Sequence, residues 1–355
     1  MRKSVFVALF VCVSAVVFAQ PSHYSVSLLG GAVIPVNGSP YDVKSPLLGV
    51  DFSAYWKMRG EEWAYIWRNP SFGIRANYST IFNSVAGDRF ELAGFMEGPV
   101  VEWKGGGIDW VYSVGFSAYT NPYMRSHDPE NSYIGSYLNC LIDLGFLWKF
   151  PVKDQEMFLA AKLVHSSNGY LSKPNHGLNF LQAELGYRWR NHTHACDTAT
   201  TSSRLFRPYR PERPHRFFVS FAPGAVQSRN DDVDYRKLYF AYTANVGYRY
   251  CINSAFAFGG NVDLMYNYAH RALAPNDVPL YVGASAFWDN TWGPITMRIG
   301  LGHYLDYYWQ NWDQYYERVG LFYRFGSQRN YYAGVAMKVH YDHVDYIEWT
   351  FGFEF

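Results

Sequence analysis

Asp345-Tyr346-Ile347-Glu348-Trp349-Thr350-Phe351-Gly352-Phe353-Glu354-Phe355 closes the 355-residue chain. From Ile347 onward every odd position is large and apolar, while the even positions are Glu, Thr, Gly and Glu. A side-chain period of two belongs to a β-strand with one apolar and one polar face. On a soluble edge strand, Trp349, Phe351, Phe353 and Phe355 in one row would invite aggregation. In a membrane β-barrel the same row meets lipid and the polar row meets the lumen.

The period recurs upstream. Tyr331, Ala333, Val335, Met337, Val339 and Tyr341 alternate with a set that includes Asn330, Lys338 and His340. Ile295, Met297, Ile299 and Leu301 alternate with Thr296, Arg298, Gly300 and Gly302. Phe258, Val262, Leu264, Tyr266 and Tyr268 oppose Asn261, Asp263 and Asn267. Further strands are predicted near 23–35, 46–57, 70–80, 89–102, 108–119, 134–149, 155–167, 178–190, 215–227, 236–250, 278–288 and 316–325. The expected fold is therefore all-β: a transmembrane, antiparallel, up-and-down barrel of about 12–16 strands, each near the length that crosses a tilted bilayer. One stretch breaks the rhythm. Residues 192–215 are basic and proline-rich, which excludes a strand interior. They are read as a loop within one barrel spanning 20–355, with 216–355 supplying additional strands; two barrels in tandem are the topologically more awkward alternative.

Composition agrees. Aromatic residues make up 19% of the chain, and membrane barrels need Trp and Tyr at both interfaces. The net charge of +1 offers no electrostatic case for a nucleic-acid partner. Arg2 and Lys3, the apolar run Val5–Val17 and the small residue at Ala19 form a secretory signal over 1–19. Val11 ahead of Cys12 argues against a lipoprotein signal. A final strand ending in Phe is similar to the assembly signal of bacterial outer-membrane barrels. It implies the outer membrane as location and the outer-membrane assembly machinery as a partner. His192, His194 and Cys196 have metal-binding spacing but no fixed fourth ligand, so a polar loop is preferred and neither metal nor cofactor is expected.

The chemistry lies at His165-Ser166-Ser167-Asn168-Gly169. Along 157–167 the odd row is Met157, Leu159, Ala161, Leu163, His165 and Ser167, and the even row contains Lys162. A lysine facing hydrocarbon is costly, so the odd row meets lipid. Along 178–190 the even row holds Gln182, Glu184, Arg188 and Arg190, which puts Asn179 on the lipid face as well. Residues paired across a hairpin share a face, so Asn179 can oppose Ser167 or His165, but not Ser166. His165 can take the proton of Ser167, and Asn179 can orient the imidazole. The Asn168 side chain and the N–H groups of the turn at Gly169 can serve an oxyanion. That set suits acyl transfer, most simply ester hydrolysis, on a substrate lying in the bilayer.

The pattern of His165, Ser167 and Asn168 followed by Pro174, Asn175 and Gly177 resembles the active-site segment of the PagL-type outer-membrane lipid A 3-O-deacylases. Residues 131–139 resemble the family's preceding hairpin more loosely. The resemblance covers about 24–190 and implies an eight-stranded barrel with lipid A as substrate. It implies His165 as base, Ser167 as nucleophile and Asn168 at the oxyanion. Well-known members carry an acidic residue where this chain has Asn179. An amide can orient His165 but cannot offset its charge. The alternative reading is a non-enzymatic barrel, either a channel or a surface-binding protein. It accounts for the charged lumen residues but not for three polar groups facing outward.

Overall fold

The computed structural model describes residues 20–34, 45–58, 60–124, 130–191, 211–227, 237–273, 279–305, 314–340 and 343–355. The leader expected over 1–19, and the group His192, His194 and Cys196, lie outside them.

Among these residues sixteen antiparallel strands follow in order. The first eight are β1 (His23–Ile34), β2 (Pro46–Lys57), β3 (Ser71–Ile81), β4 (Asp88–Trp103), β5 (Gly106–Tyr119), β6 (Leu138–Val152), β7 (Gln155–Ser167) and β8 (Leu178–Arg190). The second eight are β9 (His215–Gln227), β10 (Leu238–Cys251), β11 (Phe256–Asn267), β12 (Leu280–Trp292), β13 (Ile295–Tyr304), β14 (Tyr315–Phe325), β15 (Tyr331–His340) and β16 (His343–Glu354). Two short helices, α1 (Glu62–Ile66) and α2 (Tyr268–Leu273), interrupt the turns. The strand count falls within the expected range. One start differs: β6 begins at Leu138 rather than near 134, because the Asn131 Oδ1 accepts the N–H groups of Tyr133 and Ile134 and holds that stretch as a turn.

The sixteen strands do not form the single barrel expected from sequence. They close as two rings of eight. β8 returns to β1, with Trp189 opposite Tyr24, and β16 returns to β9, with Phe353 opposite Val219. The interiors explain the division. An eight-stranded ring is just wide enough for side chains to fill it, whereas sixteen strands leave a water channel. Each half carries its own complementary set of buried charges. In the first ring Arg75 pairs with Asp143, Lys162 with Glu184 at 2.8 Å, and Arg188 with Glu97 at 2.8 Å. In the second ring Asp289 meets Arg249 at 2.6 Å and Arg298 at 2.7 Å, and Arg318 joins Asp263 to Glu348. These pairs stay within one ring, so each lumen pairs its charges without the other. Both lumens are packed rather than open, which removes the reason to read the charged interior as a pore.

Outside, Leu28, Leu48, Phe52, Phe90, Leu159, Leu163, Leu181 and Leu185 on the first ring stand exposed. So do Phe217, Phe221, Val246, Trp288, Leu301 and Phe351 on the second. Such apolar exteriors are those of sheets embedded in lipid. Among the described residues no helix is long and apolar enough to cross a membrane; the strands do the crossing.

The rings touch at both ends. At the end bearing the short turns, Trp63, Ala64 and Met96 of the first ring cluster with Ala255 and Trp292 of the second. There Trp67 Nε1 donates to the Thr291 carbonyl at 3.3 Å. Met96 and Trp292 lie on outward faces yet are nearly fully buried, because each covers the other ring. At the opposite end the loop after β7 lies against β9 and β16.

Asp289 is fully buried among Arg249, Arg298 and Arg324. Removing one partner from a buried ionic set leaves uncompensated charge and costs about 3–5 kcal/mol. Asp289→Ala should therefore lower the unfolding free energy of the protein in liposomes, read from urea titration, by that amount and shift the midpoint down accordingly, or prevent assembly of the heat-modifiable form. An unchanged midpoint would show that the arginines find solvent in the lumen.

Candidate functional site

β7 ends at Ser167, and its last outward residues are His165 and Ser167. On one side His165 pairs with Asn179 of β8. On the other, β6 sets Ile142 beside His165 and Cys140 beside Ser167. The sheet register alone thus brings the three predicted residues together on the outer face. Below them the row continues as exposed Leu163, Leu159 and Leu181, the surface that meets acyl chains.

The side chains connect. His165 Nδ1–H donates to Asn179 Oδ1 at 2.7 Å, and the Ser167 hydroxyl donates to His165 Nε2 at 2.9 Å. With the amide oxygen facing the ring, the Nδ1–H tautomer is selected and Nε2 is left as the acceptor. Ser167 is only 4% exposed, so this hydrogen bond is sheltered from competing water. Ser166 points the other way. It is fully buried in the lumen and accepts from the Ser117 hydroxyl at 3.0 Å.

The loop from Asn168 to Gly177 folds over Ser167. Asn168 is brought to the site, but not as a free oxyanion donor. Its carboxamide Nδ2 donates to Ser136 Oγ at 3.0 Å and to the Ser172 carbonyl at 2.8 Å. Its backbone N–H donates to Asn175 Oδ1 at 2.9 Å. Sequence reasoning gave that amide a chemical role; its hydrogens are committed to loop architecture instead. Gly169 follows at φ +62°, a left-handed conformation that glycine adopts without strain. Among the described residues its N–H has no acceptor.

Several residues that hold the loop were not foreseen as part of the site. Asn175 caps Asn168, and the Ser172 hydroxyl donates to the Gly135 carbonyl at 2.6 Å. Gly177 N–H donates to the Tyr133 carbonyl at 2.9 Å. The motif spacing does contain Asn175 and Gly177, and residues 131–139 were matched as a hairpin. Their service to the loop required the fold. Gln227 and Ile347 come from the second ring, and no local signal marks them.

The fold is that of a β-barrel protein of the bacterial outer membrane, with a polar cluster on the lipid-facing wall of its first ring. The model described as "Lipid A 3-O-deacylase (PagL)" matches residues 48–188, and "Acyloxyacyl hydrolase, C-terminal domain" matches 215–355. The chain belongs to the PagL lipid A 3-O-deacylase family and is an ester-hydrolysing enzyme. The two matched stretches fall one on each ring. No curated relative matches the chain. Among solved structures, the outer-membrane enzyme PagL is 17% identical, covering 47% of this chain and 99% of its own, with TM-score 0.35. The siderophore receptor PirA from Pseudomonas aeruginosa is 11% identical over 94% of this chain and 61% of its own, with TM-score 0.27. A triple mutant of the Rhodopseudomonas blastica porin is 11% identical over 95% of this chain and 100% of its own, with TM-score 0.21.

Gly177 has φ +74°, and a Cβ there would lie 2.9 Å from His165 Cε1. Gly177→Ala should push the imidazole off the Ser167 hydroxyl. A misplacement of about 1 Å costs on the order of 100-fold in rate. Deacylation of purified lipid A should fall by about that factor with assembly unchanged. Full activity would mean that the imidazole position is not critical.

Proposed function

We propose that this chain removes an ester-linked acyl chain from lipid A in the outer leaflet, with Ser167 as nucleophile and His165 as general base. The single observation that carries the reading is the unbroken line of hydrogen bonds from Ser167 through His165 to Asn179 on the lipid face. Polar groups facing hydrocarbon cost free energy unless they serve a use.

In this reading the Ser167 oxygen attacks the ester carbonyl as its proton passes to His165 Nε2. The resulting oxyanion is held by the Gly169 N–H, while Asn168 fixes the turn that presents it. Collapse of the tetrahedral species breaks the ester bond. The His165 proton goes to the departing sugar oxygen, and the acyl group stays on Ser167. Water then attacks the acyl-serine with His165 again as base, releasing the fatty acid and restoring the hydroxyl. Asn179 holds the tautomer throughout. Neither metal nor cofactor enters the sequence. The apolar wall below the site accounts for a substrate whose acyl chains already lie in the membrane.

We propose in addition that β16 carries the contact with the outer-membrane assembly machinery. Phe355 and Phe217 exchange backbone hydrogen bonds of 2.9 and 3.1 Å at this seam of the second ring.

Mass spectrometry of lipid A tests the enzymatic reading. Ser167→Ala and His165→Ala should each lower deacylation about 1,000-fold or more, and the double variant should be no worse than either. Ser166→Ala should keep activity. Active Ser167→Ala protein would refute the assignment.

Asn179 has its own signature. Asn179→Ala removes the acceptor of Nδ1–H and should cost about 100- to 1,000-fold, less than loss of Ser167. Asn179→Glu should keep or raise the rate. Its carboxylate favours the imidazolium, so the base is deprotonated only at higher pH and the acidic limb of the rate profile moves up. Coincident profiles for wild type, Asn179→Ala and Asn179→Glu would remove Asn179 from the mechanism.

A further inference from the structure

Among the described residues, the second ring has no counterpart of the His165–Ser167 pair on its outer face. His303 does lie outward there, but it pairs edge-on with the Tyr315 ring at 4.9 Å rather than with a hydroxyl. The ring nevertheless reaches the site. Gln227, the last residue of β9, binds the loop twice. Its backbone N–H donates to the Tyr170 carbonyl at 3.0 Å, and its side-chain Oε1 accepts the Lys173 N–H at 2.8 Å. Ile347 of β16 lies against Gly169, where its Cδ1 and Cγ1 occupy the space a Cβ would need. Tyr170 packs on the apolar cluster of Val226, Ala241, Ala269 and Tyr346. Gln227 and Ile347 are outward-facing residues, yet Gln227 is 8% exposed and Ile347 4% exposed. What covers them is the loop of the other ring.

The loop is thus gripped from two sides. Tyr133, Gly135 and Ser136 of the first ring hold Gly177, Ser172 and Asn168. Gln227 and Ile347 of the second ring hold the span from Gly169 to Lys173. That span contains the N–H proposed to meet the oxyanion, and it follows directly on Ser167.

We infer that the C-terminal barrel is a working part of the hydrolase, with Gln227 and Ile347 as positioning residues that set the Gly169 turn against Ser167. The inference rests on the mechanism proposed above. Donors for an oxyanion help only if they are fixed before the charge forms. Slackening the turn should therefore lower kcat rather than raise KM, because the contact it weakens is made in the transition state.

The test uses the full-length protein in lipid A-containing vesicles. Gln227→Met keeps the side-chain bulk and the backbone bond to Tyr170, but loses the acceptor for Lys173. It should lower kcat about tenfold with KM within about twofold, at an unchanged level of heat-modifiable protein. Gln227→Glu restores an acceptor oxygen and should recover most of kcat. Ile347→Ala, which frees the space beside Gly169, should lower kcat in the same way. The inference is overturned if Gln227→Met and Ile347→Ala both keep wild-type kcat, or if Gln227→Met is as impaired as Gln227→Glu. It is equally overturned if any loss of rate merely tracks a loss of assembled protein. Ser167→Ala, run in parallel, separates the two readings. Activity there defeats the mechanism itself, whereas an inactive Ser167→Ala beside fully active Gln227→Met and Ile347→Ala defeats only the role of the second barrel.

Discussion

In hydrocarbon no water is present to satisfy an open sheet edge, so every strand must find two neighbours and the sheet must close. This protein closes twice. Each ring is the size at which side chains fill the interior, and each fills it with charge: Arg75, Lys162 and Arg188 against Asp143, Glu184 and Glu97 in one, and Asp289 among three arginines in the other. Closure also determines where chemistry can sit. With the lumen occupied by ion pairs, a substrate in the bilayer is met only on the outer wall. There the register of β7 on β8 sets Asn179 beside His165.

The strands were legible because a period of two survives in a membrane barrel on both faces, and Lys162 alone fixes which face of β7 is which. Placing His165, Ser167 and Asn179 together needed only that alternation and the pairing rule. What could not be read was how many strands complete a ring. Alternation is the same in a ring of eight and a ring of sixteen. The difference lies in which lumen charges meet across the interior, as Arg249 meets Asp289, 40 residues away. The hydrogen bonds of Asn168 were illegible for a related reason. A carboxamide next to a nucleophilic serine has the chemistry of an oxyanion donor, and only the turn at Ser136 and Ser172 shows that its hydrogens are already committed.

The family resemblance reached as far as the first ring and stopped, because its motif residues all lie there. The contribution of the second ring is carried by Gln227 and Ile347, an ordinary glutamine and an ordinary isoleucine on strands like the others. Neither is surrounded by a pattern that spacing or residue type would single out. Their position 54 residues or more from the loop they hold is a property of the docked rings alone.

Gln227 belongs to β9 and Ile347 to β16, the first and last strands of the second ring. The two stand on neighbouring strands only after the seam has zipped, with Ile347 opposite Ala225. A chain with its first ring closed and its second still open would already hold His165, Ser167 and Asn179 in register, yet without the outer grip on the turn beside them. If Gln227 and Ile347 position the turn as inferred, the seam couples the timing of activity to the end of insertion. On that inference an unfinished molecule in transit is a poor enzyme toward the lipids it meets on the way, and full turnover begins where and when the last strand finds the ninth.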